Sequence, residues 1–260
     1  MILPGLTSVT FRSLEVDEII DLCKESRIKG IEWGGDIHVP PGEVGLASEI
    51  REKCHQGGIE IAAYGSYYRA GCVDPQNQDF GEVLSTAMAL GAPCIRVWPG
   101  PKGPGETSPQ LFDRVCQDLI RIADQAEEQG IRIVLEHYAK TLTETDESLQ
   151  KLLTRVNHPK VEMLWQYQPH RTEGENLKSL EICLPRLANL HVFYWTDALE
   201  RRPLCEGSDF WSTVLDRVHS TEKEKRRFAL LEFVRDDSVE QFREDARTLD
   251  EWTRGLSGNG

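Results

Sequence analysis

No apolar run in the chain reaches the roughly 18 to 20 residues that cross a bilayer, and the opening MILPGLTSVTFRS lacks the basic-then-apolar order of a secretory signal. Together these absences predict a cytoplasmic protein with no membrane partner. Cysteine-pairing signals are missing too. The 7 cysteines, from Cys23 to Cys205, are an odd and widely spaced set with no CxxC pair and no thiolate spacing for a metal. They read as small core side chains in a reducing compartment. Positive charge is in deficit: 30 Lys and Arg against 43 Asp and Glu leave a formal charge of −13, which repels nucleic-acid phosphates and anionic lipid. Low-complexity tracts and composition shifts are also absent, so one domain over residues 1–260 is predicted. With 39% hydrophobic and 28% charged residues, the chain has material for a large core, and disordered, collagen-like and coiled-coil classes are excluded.

What is present is alternation. Eight apolar runs read as strands: ILPGLTSVT near the start, GIEWGG from Gly30, IEIAAYG from Ile59, CIRVWPG from Cys94, IRIVLEHY from Ile131, VEMLWQ from Val161, ANLHVFYW from Ala188 and FALLEFV from Phe228. Between them, apolar residues recur at helical spacing, as in Leu111, Val115, Leu119, Ile122 and Ala126. Ser108 before Pro109, and Thr145 before Asp146 and Glu147, are helix starts; Gly30, Gly57, Gly91 and Gly130 are expected helix stops. Strand starts recur about every 32 residues, the length of one strand-helix unit, and the segment after the first strand, TFRSLEV, lacks the glycine-rich turn of a doubly wound sheet. The predicted architecture is α/β, a single closed (β/α)8 TIM barrel.

In such a barrel chemistry sits at the C-terminal strand ends. The tyrosines, among them Tyr64, Tyr67 and Tyr138, collect there in the sequence, as do Trp33, Trp98, Trp165 and Trp195. That predicts an aromatic pocket suited to a small polyhydroxylated ligand. Four polar residues end the last four apolar runs: Glu136 in IVLEHY, Gln166 in MLWQYQ, His191 in NLHVFYW and Glu232 in ALLEFV. Carboxylates buried in a dry barrel mouth require a cation or hydrogen-bond donors. Two readings stay open at this point: an oxygen-rich divalent site for Mn²⁺ or Mg²⁺, with Co²⁺ or Zn²⁺ as alternatives, and a structural Glu/His ion-pair network.

The motifs GIEWGGDIHVPPG, VLEHYAKTLTET, VEMLWQ, NLHVF, RRPLCEG and LLEF, in this order, resemble the xylose-isomerase-like TIM barrels, which include sugar epimerases and sugar-phosphate isomerase relatives. The resemblance covers nearly the whole chain. It implies Glu136, Gln166, His191 and Glu232 as metal ligands, and Glu136 and Glu232 as the acid/base pair on opposite sides of the reacting carbon. Three departures stand out. Gln166 occupies an Asp position, which removes one negative charge; Pro169 occupies a His position, with His170 one further on; and Phe193, Tyr194 and Trp195 replace a Lys-Asp pair.

These readings predict a metal-dependent isomerase or epimerase that moves a proton next to the carbonyl of a small keto-sugar or polyol. His38, Tyr64, Arg69, Trp98, Arg202 and Glu206 are the predicted substrate contacts, Glu206 orienting Arg202. A metal-dependent lyase resembling dehydroshikimate dehydratase is the first alternative, and a non-catalytic sugar-binding barrel with a degenerate metal site is the second. The nucleic-acid branch of the superfamily, AP endonuclease, is opposed by the charge of −13. Oligomeric state is left open by the sequence, a homo-oligomer included.

Overall fold

The computed structural model describes residues 1–221 and 225–257. Eight strands alternate with eight long helices among the described residues: β1 Ile2–Thr7, α1 Val16–Glu25, β2 Gly30–Gly34, α2 Val44–Gly57, β3 Glu60–Arg69, α3 Phe80–Leu90, β4 Cys94–Trp98, α4 Pro109–Glu127, β5 Arg132–Glu136, α5 Asp146–Val156, β6 Val161–Trp165, α6 Glu173–Cys183, β7 Leu187–Val192, α7 Ser208–Thr221, β8 Arg227–Leu231 and α8 Val239–Ser257. Each strand pairs in parallel with the next and β8 pairs with β1, so the sheet closes into the predicted α/β barrel. No described helix is long and apolar enough to cross a membrane.

The strands read as continuous apolar runs because both of their faces are covered. Ile31, Trp33, Ile95, Val97 and Leu135 turn outward into the main core with the helices. On the opposite face Ala63, Cys94, Val134, Leu164 and Ala188 form a separate small cluster. Side chains alternate along a strand, so Cys94, Val134 and Leu164 share their face with Arg96, Glu136 and Gln166 two residues on. That apolar layer is the floor on which the polar residues stand.

The expected helix starts are present. Ser108 accepts from the Leu111 N–H at 3.2 Å and Thr145 from the Ser148 N–H at 3.3 Å. Two expected stops move. The second helix is closed by Gly58, left-handed at φ 67°, one residue beyond Gly57. Gly30 is the first residue of β2, where a Cβ would run into the Phe228 ring, so this glycine provides room. The first run is also shorter than expected: β1 ends at Thr7 and Ser8–Phe11 forms a 3₁₀ turn. β3 is longer than expected and runs on to Arg69. Side-chain oxygens of Gln78 and Asn77 accept from the Tyr67 and Arg69 N–H groups at 2.9 and 3.0 Å, occupying donors that would otherwise end the strand.

Candidate active site

The C-terminal ends of the strands hold a buried, charged cluster with Arg96 at its centre. From β4, Arg96 donates through Nε to Glu32 Oε1 of β2 at 2.8 Å and through Nη1 to Glu136 Oε2 of β5 at 2.5 Å. Both bonds are charge-assisted, the stronger class of hydrogen bond. Glu136 has two further donors. The Trp98 indole N–H reaches Oε2 at 2.6 Å and the Gln166 amide nitrogen reaches Oε1 at 3.1 Å. His191 of β7 approaches the same oxygen of Glu32, placing Nε2 3.4 Å from Oε1, and sets Nδ1 3.2 Å from Glu232 Oε2. These are ion-pair contacts without hydrogen-bond geometry. Both His191 nitrogens, Glu32 Oε2 and Glu232 Oε2 are buried atoms with no hydrogen-bond partner.

The sequence provides a seat for this arginine. Gly65 of β3 lies opposite Arg96 in the sheet register. A Cβ at Gly65 would stand 2.8 Å from Glu32 Oε1 and 2.9 Å from Arg96 Nη2, so only a residue without a side chain leaves space for the ion pair. The charges sustain one another against burial. Burial alone would raise the Glu32 carboxyl, but His191 and Arg96 bring it down to about 2. Burial alone would strip the proton from His191, but Glu232 and Glu32 hold it up to about 10. Arg96 is likewise driven up by Glu136 and Glu32 against its burial. At neutral pH Arg96 and His191 are therefore both cations and Glu32 an anion.

Aromatic rings border the cluster. Tyr67 meets Trp98 edge-on at 5.1 Å, Trp98 stacks on Tyr138 at 5.6 Å, and the Arg69 guanidinium lies 4.1 Å over the Trp98 ring. Across the barrel end, Trp195 and Phe193 pack with Phe233, and Arg201 lies 5.1 Å over the Phe233 ring. Phe233 directly follows Glu232 and has a left-handed backbone, φ 53°, uncommon for a bulky residue.

Of the predicted quartet, Gln166 bonds to Glu136 and His191 pairs with Glu232, and Arg96 and Glu32 link the two pairs; Trp98 joins Glu136, with Arg69 above Trp98. Other expected contacts lie elsewhere. Tyr64 is fully buried within β3 and its hydroxyl donates to the Val39 carbonyl at 2.8 Å, so it has no surface for a ligand. Trp33 and Trp165 are also core residues, because their strand positions face the helices. His38 is buried edge-on against Trp33, with Nδ1 2.9 Å from Ser8 Oγ and Nε2 3.3 Å from the Leu14 carbonyl. Arg202 does pair with Glu206 at 2.9 Å, but both are exposed and neither bonds to the cluster. Sequence reasoning missed Arg96 and Glu32. Both are charged residues inside apolar runs, CIRVW and GIEWG, the same signal that marked Glu136 and Glu232.

The predicted four-ligand metal site does not fit this arrangement. His191 Nδ1 and Glu232 Oε2 are spaced like two neighbouring ligands, but Glu136 has both oxygens engaged by three donors, and Gln166 turns its amide nitrogen toward Glu136. Among the described residues no three His, Cys, Asp or Glu side chains form a group that could hold a metal ion. The Glu/His network is the reading that the contacts match, extended by an arginine.

The sequence pattern of the xylose isomerase-like TIM barrel matches residues 20–252. No curated protein matches the chain in sequence. Among solved structures, the probable 3-DHS dehydratase AsbF from Bacillus anthracis is similar with a TM-score of 0.80 and 17% identity, over 95% of this chain and 98% of that one. A xylose isomerase-like TIM barrel protein from Mycobacterium smegmatis in complex with magnesium aligns at a TM-score of 0.71 and 16% identity, over 98% and 97% of the two chains. D-psicose 3-epimerase in the presence of D-fructose aligns at 0.71 and 14% identity, over 98% and 99%. At such identities the likeness is one of fold. With the pattern matched over most of its length and the barrel closed as that pattern requires, the chain belongs to the xylose isomerase-like TIM barrel family.

Proposed function

We propose that the barrel mouth moves a proton at a carbon next to a carbonyl in a small keto-sugar or polyol, an isomerase or epimerase reaction. The observation that carries this reading is the pair Glu136 and Glu232, two carboxylates from separate strands at the catalytic end of the barrel, each just reaching solvent at 4% and 6% exposure. Glu232 has the freer carboxylate, since no described group donates a hydrogen bond to it, its buried Oε2 standing beside His191 Nδ1 at 3.2 Å. It takes the proton. Now carrying that proton, Glu232 returns it, while Glu136, whose oxygens accept from Trp98, Arg96 and Gln166, stands across the mouth from it. Charge that builds on the carbonyl oxygen meets the positive potential of His191 and Arg96, already oriented before the substrate arrives. The rings of Tyr67, Trp98 and Tyr138 offer apolar faces to the carbon skeleton. The divalent ion implied by the resemblance has no part in this reading, because Glu136 is already committed to other donors.

One observation favours a second outcome on the same chemistry. Arg69, stacked on Trp98, has no ion-pair partner among the described residues, and a free guanidinium at a pocket rim suits a carboxylate. A hydroxylated keto-acid held there would lose water after the same proton removal, a lyase reaction.

The test is a panel of keto-sugars, keto-inositols and hydroxylated keto-acids incubated with the protein in heavy water and read by NMR. Deuterium entering one carbon next to the carbonyl supports the reading, with a conjugated product marking the lyase outcome. Chemical change without exchange from solvent, or exchange that Glu136→Gln and Glu232→Gln both leave above about a tenth of the wild-type rate, would overturn it.

A further inference from the structure

We propose that Arg96 is the resident cation of this barrel mouth, standing where a divalent ion would otherwise balance the carboxylates, so that the chain neutralises Glu32 and Glu136 with its own guanidinium and binds no metal there. The inference rests on geometry, not on the reaction proposed above.

Three features make Arg96 a fixture. It is 4% exposed, so it is not a surface side chain that swings in and out. Its strand is fastened at the same residue, where the Ser66 hydroxyl donates to the Arg96 carbonyl at 2.5 Å. Its head fills a space kept open by the missing side chain of Gly65, with the Tyr67 ring 5.7 Å away on one side. A guanidinium is planar, always charged and rich in donors, which lets one group bind two carboxylates at once. An ammonium or a spherical ion would bond them with different spacing.

The neighbouring residues agree with a site that has given up its metal. Glu136 accepts three hydrogen bonds, one of them from Gln166, and an amide at position 166 holds one negative charge fewer than an acid. What remains near His191 is Glu232 alone on one side and the Arg96-bound Glu32 on the other. Even Mg²⁺, which keeps several waters and takes only one or two carboxylates, finds Glu232 alone uncommitted to a donor here and would have to compete with Arg96 for a second.

The experiment compares the wild-type protein with Arg96→Met/Glu32→Gln, which removes one cation and one anion and leaves the net charge unchanged. Melting temperature is recorded with EDTA, Mg²⁺ and Mn²⁺, alongside calorimetric titration with Mn²⁺. An ion bound to the folded state and present at a hundred times its Kd would raise Tm by about 5–10 °C in a chain of this size. The expected result is a wild-type Tm indifferent to all three additions, no saturable Mn²⁺ heat, and a Mn²⁺-dependent rise in the double variant. Saturable Mn²⁺ binding by the wild type, lost in Glu136→Gln, overturns the proposal. So does an equal Mn²⁺ response in wild type and double variant. If the double variant does not fold, the wild-type titration still decides. Failure of the proton-transfer reading would leave these results unmoved, because none of them measures turnover.

Discussion

Gly65→Ala is the smallest change that presses on the buried ion pair. The new methyl would lie 2.8 Å from Glu32 Oε1 and 2.9 Å from Arg96 Nη2, well inside the roughly 3.5 Å at which carbon contacts become favourable. Glu32 is fully buried and Arg96 nearly so; Arg96 is also bonded to Glu136, and Glu32 is in ion-pair contact with His191, so neither can retreat without losing a partner. Overpacking a tight site costs about 1–3 kcal/mol, and breaking a buried pair outright about 3–5 kcal/mol. Partial loss of the pair therefore corresponds to about 3 kcal/mol. In a chain of this length that lowers Tm by about 6–12 °C. Gly45→Ala is the control: Gly45 is exposed in α2, a Cβ there meets nothing within 4 Å, and alanine favours helix by about 0.5–1 kcal/mol. Differential scanning calorimetry on the two variants and the wild type, at one pH and buffer, reads the contrast directly. A Gly65→Ala protein melting within about 2 °C of wild type would refute the claim that this glycine exists to seat the arginine.

Further predictions concern pH and two single side chains. Glu32 ionises at about 2 when folded against a usual 4.5, so its stabilisation is present above pH 4.5 and fades as pH falls toward 2. His191 titrates near 10 against a usual 6.5, so its contribution is whole below pH 6.5 and is lost as pH rises toward 10. These two groups place maximal stability between the two limits, and in Tm-versus-pH curves His191→Asn should flatten the alkaline limb; an unchanged limb would exclude the imidazolium. Asp245 acts oppositely. Burial lifts its carboxyl to about 6 from a usual 3.8, although it accepts from the Leu204 N–H at 2.9 Å and from Gln241 at 3.0 Å. Its unfolded form ionises first, so stability declines as pH climbs from 3.8 to 6 and the deficit, about 3 kcal/mol, persists above. Asp245→Asn should raise Tm at pH 8 and not at pH 4; equal shifts at both would contradict this assignment. Trp98→Phe keeps a ring against Tyr138 and Arg69 but deletes the donor to Glu136, at a cost of about 2 kcal/mol. A Tm unchanged from wild type would show that Arg96 and Gln166 hold Glu136 unaided.

The barrel was legible because both-faced burial writes itself as apolar runs, and capping residues such as Ser108 and Thr145 mark where helices begin. Glu136, Gln166, His191 and Glu232 were legible for the complementary reason, that polar groups ending such runs need partners. The identity of those partners was not. Arg96 looks like one more strand residue in CIRVWPG until the register sets it beside Gly65 and between two glutamates from strands 64 and 40 residues distant in sequence. Distance along the chain hides such pairing. Tyr64 misled for a local reason: β3 continues five residues past it, so a residue expected at the rim is in the wall. His38 follows a strand end as expected, but the 3₁₀ turn Ser8–Phe11 and Leu14 cover both of its nitrogens.

The most direct measurement of the whole account is the rate at which deuterium enters a substrate carbon next to its carbonyl, in excess EDTA, for wild type and Glu232→Gln. Persistent exchange by the wild type under chelation, slowed 10²–10⁴-fold in the variant, is the predicted result. Exchange that stops with EDTA and returns with Mn²⁺, or that proceeds equally without the Glu232 carboxylate, would contradict it.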